Sequence, residues 1–314
     1  MKILKFFLFS VLFLFGAIAI ALAVLIVFAP EQVEITPQNV TNVLSELFSP
    51  PPLRERTNAL IMGVDEFGLA DVLMIASFNS TSGRIDMISI PRDTRIQLST
   101  RKINEIRSSG RFVPADGIMK INELHSYAGA DLGALFIKEQ VEDIFGTHMH
   151  YYVRLDMDAF MFIIDSLGGV EFDVPARMFY RAYDMLIDLQ PGSQLLNGHD
   201  ALALVRFRNY PRGDLQRIEV QHAFMSAMIE QMLSMENLFG TVRGLWTTAT
   251  RYMDTDFSVG NLAQYLGYVG IIEVDNIHAH TIPGVPQTIN NVSFIVINQG
   301  EVREFTNDLF NVEQ

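Results

Sequence analysis

The chain has 314 residues, nearly half of them apolar, which is enough for one large core plus an anchor, or at most two modest domains. Its formal net charge of -13 argues against nonspecific binding to nucleic acid, whose phosphates reward a basic surface, so an anionic ligand would need a local positive site. Cysteine is absent, which excludes a disulfide framework, a thiolate metal centre and a cysteine nucleophile.

Lys2 and Lys5 precede an uncharged apolar run from Phe6 to Ala29, and the first charged residues beyond it are Glu31 and Glu34. The run exceeds the roughly 20 residues that span a hydrocarbon core as a helix. Basic residues before it and acids after it predict a five-residue cytoplasmic tail (1–5), a transmembrane helix (6–29) and the rest of the chain outside the cell. A cleavable signal peptide, with Ala21-Leu22-Ala23 as a small-x-small site, is the other reading. Residues 30–56 hold Pro50-Pro51-Pro52, which favours an extended stalk. An external domain then fills residues 57–314.

Three β-rich runs follow, Asn58 to Val64, Val72 to Asn79 and Arg84 to Ile90, and they read as adjacent, largely buried strands. Asp131 to Phe145 has helical periodicity with Gly146 as its stop. A strand at Tyr151 to Leu155 leads to a helix at Ala159 to Leu167, the turn Gly168-Gly169, and a strand at Val170 to Val174. Asp214 to Leu233 reads as a long helix with Asp214 as N-cap. A strand at Phe294 to Asn298 and a helix near Glu301 to Phe310 close the chain. Strands mixed with helices over this length predict a layered α/β domain.

Candidate chemistry gathers at the strand ends. Asp65 ends one strand and Asp71 starts the next, and two carboxylates on one rim suit Mg²⁺, a hard ion that prefers oxygen ligands; loop and cap acids are the plainer reading. Arg92 follows Ser89-Ile90-Pro91 and reaches the same rim. Arg206, Arg208, Arg212 and Arg217 cluster in an otherwise acidic chain, and Gln221 lies four residues beyond Arg217 on one helix face near a helix N-terminus, a geometry that favours a phosphate. The same cluster also reads as a solvated basic face, and Lys120 as a surface lysine. His278 and His280 alternate on a candidate strand, with a structural role favoured over metal ligation.

Seven ordered blocks carry a resemblance: LIMGVD ending at Asp65, Asp71-Val72-Leu73-Met74, SIPRDT around Arg92, KIN from Lys120, DSLGGVEFDVP from Asp165, LQPGSQLLNGHDALALVRFR from Leu189 and GDLQRIEVQ from Gly213. Over residues 58–233 the chain resembles the LytR-CpsA-Psr family of bacterial cell-wall ligases. The resemblance implies a mixed, twisted β-sheet flanked by helices on both faces, with an apolar tunnel for a polyprenyl chain and arginines at its mouth for a diphosphate. It implies transfer of a glycopolymer such as teichoic acid or capsule from a polyprenyl-diphosphate carrier to peptidoglycan, with Mg²⁺ on Asp65 and Asp71. Arg92, Lys120, Arg206, Arg208, Arg217 and Gln221 would hold the diphosphate, with Arg92, Asp71, Arg206 and Arg217 acting in catalysis and Asp214 in support. Two places depart from the family pattern: it usually reads Gly-Arg-Ser-Asp where this chain has Gly68-Leu69-Ala70-Asp71, so an expected arginine is missing, and the segment between Arg208 and Gly213 is slightly shorter than the common form, which shifts Arg212. Arg95 and Arg111 are the candidates to replace the missing arginine. That first departure motivates a second reading, a noncatalytic lipid-diphosphate binder, and the retained residues would also permit a third, a lipid-diphosphate hydrolase.

Overall fold

The computed structural model describes residues 54–181, 185–234, 253–258, 261, 264–265 and 268–311. The apolar run at 6–29 and most of the stalk lie outside the described residues. In chain order the elements are β1 (Arg56–Val64), β2 (Ala70–Asn79), β3 (Ile85–Ser89), β4 (Arg95–Gln97), α1 (Thr100–Ser108), β5 (Ile118–Lys120), α2 (Glu123–Ala128), α3 (Ala130–Phe145), β6 (Tyr151–Leu155), α4 (Met157–Ser166), β7 (Val170–Val174), β8 (Met178–Arg181), β9 (Leu186–Leu189), β10 (Gly192–Leu196), α5 (Gly198–Arg206), α6 (Asp214–Leu233), β11 (Met253–Thr255), β12 (Ile277–Thr281), β13 (Val285–Ile289), β14 (Val292–Val296) and α7 (Gln299–Asn311).

The central sheet is mixed, in the order β11-β6-β1-β2-β3-β12. β2 pairs antiparallel with β1 and β3, while β6 runs parallel to β1 and β12 parallel to β3. The three first strands are adjacent, as their apolar runs predict. The strand at Val170 to Val174 forms where expected but pairs with β10 in a separate two-stranded ribbon, outside the central sheet.

Period-two alternation along β1 and β2 gives the sheet two functional faces. Leu60, Met62, Leu73 and Ile75 point into a core completed by Phe136, Ile137, Val141 and Ile144 of α3 and by Val302 of α7. A fully buried side chain such as Phe136 contributes roughly 1.5–3 kcal/mol there. Helix α3 ends at Gly146, whose φ of 69° places it in the left-handed region that closes helices without a Cβ penalty. The alternate residues Ile61, Gly63, Val72 and Met74 face away from that core and line a pocket roofed by α4, α5 and α6. Those helices pack on a second core built from Ile164, Val170, Leu204 and Phe224. The site therefore lies between the sheet and the second core.

One local expectation fails. Asp214 is the first residue of α6, and the N-cap position belongs to Gly213, with φ 61° and ψ -137°. That backbone conformation is open to glycine and strained for a residue with a Cβ, so the cap moves one residue upstream of the carboxylate.

Candidate functional site

At the C-terminal end of β1 the ladder with β2 shifts register between Gly63 and Val64, a bulge that turns the chain into a tight loop. The loop closes on itself: Gly68 N donates to Asp65 O at 3.0 Å and Asp65 N to Leu69 O at 2.9 Å. Asp65 Oδ1 accepts from the backbone N–H groups of Phe67 (3.0 Å) and Leu69 (2.8 Å), so one carboxylate oxygen shapes the loop. Helix α2 and the residue before it hold the loop from outside. Ala70 N donates to Asn122 O at 3.0 Å, and Ser126 Oγ donates to Phe67 O at 3.0 Å. His125 Nδ1 lies 3.0 Å from Gly68 O, which assigns the proton to Nδ1 because a carbonyl only accepts. Burial pushes the His125 pKa down, so the imidazole is neutral and that tautomer persists.

Asp71 is the electrostatic centre. Its Oδ1 accepts from Arg92 Nη1 at 2.9 Å and its Oδ2 from Arg208 Nη2 at 2.6 Å. Asn122 Nδ2 adds a long contact of 3.4 Å to Oδ1. Burial pushes the carboxyl pKa up, but the Arg92 charge and hydrogen bond, followed by Arg208 and Asn122, outweigh it and hold Asp71 below the ordinary carboxylate range. The group is a carboxylate at every physiological pH.

The pocket beside it has a volume of about 150 Å³ and two chemical halves. Asp65, Asp71, Asp156, Arg206, Arg208, Arg217 and Gln221 supply the polar groups, and the remainder is apolar, with Ile61, Val64, Met74, Leu155, Phe160, Leu202, Val205, Phe224 and Met225 among its residues. Arg217 comes from the first turn of α6 and is 5% exposed, so its charge is held in a largely dry wall. Gln221, one turn later on the same face, donates Nε2 to Val205 O at 2.9 Å. Arg206 closes α5 and lies 3.4 Å from Met185 Sδ.

The structure thus brings together most of the residues singled out from sequence. Arg92 reaches the group through Asp71. Lys120 does not line the pocket; it pairs with Asp93 at 2.8 Å, one residue beyond Arg92. Arg212 turns outward to an exposed ion pair with Glu219. Neither replacement candidate for the missing arginine reaches the pocket wall: Arg95 sits in β4 opposite Lys120, and the Arg111 guanidinium packs over Gly129. His280 Nε2 donates to Oδ1 of the fully buried Asp86 at 3.0 Å, a carboxylate that Arg84 also grips, in keeping with a structural histidine. Sequence reasoning missed Asn122, the third residue of the KIN block, and Asp156. Asp156 lines the pocket while its Oδ1 caps α4 through Ala159 N at 2.7 Å. Its Asp-x-x-Ala spacing before an apolar helix was the available signal.

The sequence profile of the LytR_cpsA_psr family matches residues 26–311. The chain belongs to the LytR-CpsA-Psr family. Among its relatives is a protein of Oceanobacillus iheyensis named polyisoprenyl-teichoic acid–peptidoglycan teichoic acid transferase TagU, 27% identical over 263 residues, 82% of this chain and 76% of that one. The Bacillus subtilis protein of the same name is 25% identical over 260 residues, covering 80% and 76%. The fold is shared with solved family structures. B. subtilis TagV superposes with a TM-score of 0.66 at 24% identity, over 82% of this chain and 99% of that one. A structure of TagT bound to LIIa-WTA superposes with a TM-score of 0.61 at 22% identity, over 82% and 91%. The family's mixed sheet flanked by helices is the architecture described above.

Proposed function

We propose that this chain is a phosphotransferase that moves a glycopolymer from a polyprenyl-diphosphate carrier to a peptidoglycan hydroxyl, forming a phosphodiester and releasing polyprenyl phosphate. The observation that carries the reading is one pocket with a polar end of arginines and carboxylates and an apolar body. The chemistry of the first suits a diphosphate and that of the second an isoprenoid chain. The names of the TagU relatives and the ligand of the TagT structure support the same substrate class.

Phosphoryl transfer depends on position and on charge neutralisation more than on covalent chemistry by the protein. Arg206, Arg208 and Arg217 would bind the diphosphate oxygens, with Arg217 oriented by its burial in the wall and Gln221 beside it. Arg92, held by Asp71, would meet the same group from the strand side. Asp65 and Asp71 fit Mg²⁺: they are two ionisable oxygen donors on one wall of the pocket, and Asp71 stays ionised. The metal, when bound, would neutralise charge building on the bridging and leaving oxygens. Asp65 and Asp71 would hold the ion, and Arg92 and Arg208, both paired with Asp71, would lie beside it within reach of the phosphates. The apolar run at 6–29 supports a membrane anchor with the domain outside the cell, where both carrier and peptidoglycan are met.

The test is release of polyprenyl phosphate from a synthetic polyprenyl-diphosphate sugar by the purified protein, with and without Mg²⁺ and peptidoglycan acceptor. The expected result is Mg²⁺-dependent release that requires the acceptor and falls at least about 100-fold in Arg92→Ala. Release without acceptor would make the protein a hydrolase. Saturable lipid binding without release would favour the noncatalytic reading, for which Leu69 in place of an arginine is the specific observation.

A further inference from the structure

Two residues outside the pocket join its two halves. Ser89 closes β3, three residues before Arg92, and lies opposite Met74, a pocket-lining residue of β2. His222 follows Gln221 on α6 and points the other way around the helix, toward His280 and Thr281 of β12. Ser89 Oγ and His222 Nε2 are 2.6 Å apart across 133 positions of sequence, and the residues are 5% and 7% exposed. Their surroundings differ: Ile88 and Ile90 belong to the first core, whereas Val220 and Phe224 belong to the second. A short, buried hydrogen bond here fixes the distance between the strand end that carries Arg92 and the helix that carries Arg217 and Gln221.

We infer that Ser89 and His222 form a positioning tie that sets the α6 phosphate-binding side chains against Arg92 for the transfer step. The inference rests on the proposed function, and neither residue touches the pocket itself. Burial, and then the neighbouring His280, hold the His222 imidazole in its neutral form, which suits either direction of the bond with a hydroxyl. Sliding α6 by about 1 Å would move Arg217 and Gln221 together, and a misplacement of that size costs on the order of 100-fold in rate.

The experiment uses the full chain in detergent with a polyprenyl-diphosphate sugar and Mg²⁺. Ser89→Ala and His222→Phe are each expected to lower kcat about 10- to 100-fold. The double variant is expected to be no slower than the worse single one, and His222→Gln, whose amide reaches the same hydroxyl, to recover most of the rate. Unchanged kcat with a lower melting temperature, or losses that multiply in the double variant, would overturn the tie and leave a purely structural bond. A turnover-free arm separates this result from the fate of the transfer reading: calorimetric binding of inorganic pyrophosphate with Mg²⁺ is expected to weaken about tenfold in Ser89→Ala. If wild type binds pyrophosphate without turning over lipid and Ser89→Ala weakens that binding, the tie stands and the transfer reading fails. If Ser89→Ala binds pyrophosphate as wild type does, the tie is wrong.

Discussion

Replacing Asp71 by Asn tests the electrostatic centre without changing its shape. The carboxylate accepts from Arg92 at 2.9 Å and from Arg208 at 2.6 Å, but the two partners differ in environment: the Arg92 side chain is 20% exposed and that of Arg208 is 53%. A charge-assisted bond in the drier setting is worth about 1.5–3 kcal/mol, and the exposed one under about 1 kcal/mol after screening by water. The amide oxygen of Asn still accepts one bond, so the net loss at pH 7 comes to about 2 kcal/mol. The arginines hold the folded-state pKa of Asp71 below its unfolded value. Between those two values the unfolded chain binds more protons, so the stabilisation falls as the pH falls. Wild type should exceed Asp71→Asn by a constant amount above about pH 5, by less through about pH 4, and by nothing once the folded carboxyl is protonated. Urea unfolding of both proteins at pH 7, 5, 4 and 3 measures the gap. A gap below about 0.5 kcal/mol at pH 7, or one that does not shrink in acid, would refute the assignment of Asp71 as a paired carboxylate.

Two further changes probe the frame and the missing arginine. Gly198 opens α5 so close to α4 that an added Cβ would lie 2.4 Å from the Met161 carbonyl oxygen; Gly198→Ala should destabilise the fold by about 1–3 kcal/mol, seen as a lower melting temperature. Leu69→Arg introduces the guanidinium that the family resemblance implies there, and on the proposed function a charge-assisted bond to phosphate should raise affinity for a polyprenyl-diphosphate analogue about tenfold by titration calorimetry. Unchanged affinity would show that residue 69 does not face the diphosphate.

The strands and long helices were legible because each carries its periodicity locally. Asp214–Leu233 and Tyr151–Leu155 form with the boundaries read from sequence, and the alternation along β1 fixes which residues face the pocket. Partnership was not legible in the same way. Val170 to Val174 has a clear strand pattern, yet nothing local says that it pairs with β10 and not with the central sheet. The cap of α6 moved because Gly213 adopts a positive φ, a backbone choice that outranks the capping preference of the aspartate after it. At the site, acids and arginines stood out by charge. Asn122 and Ser89 did not, because a polar residue's role there depends on a partner 51 or 133 positions away.

The missing arginine then becomes a question of charge balance, which the pocket itself addresses. Arg206, Arg208 and Arg217 line it and Arg92 joins through Asp71, so four guanidiniums stand against the carboxylates of Asp65, Asp71 and Asp156 and leave a surplus of one positive charge. A diphosphate esterified at both ends carries one negative charge on each phosphate, one more than that surplus offsets. On the proposed function, a divalent ion held by Asp65 and Asp71 would offset the remainder and leave one positive charge for the additional negative charge of the transition state. A fifth arginine at position 69 would tighten the diphosphate in ground state and transition state alike, and binding of that uniform kind lowers KM without raising kcat. On the proposed function, leucine at position 69 lowers affinity for the carrier and leaves the transfer step intact.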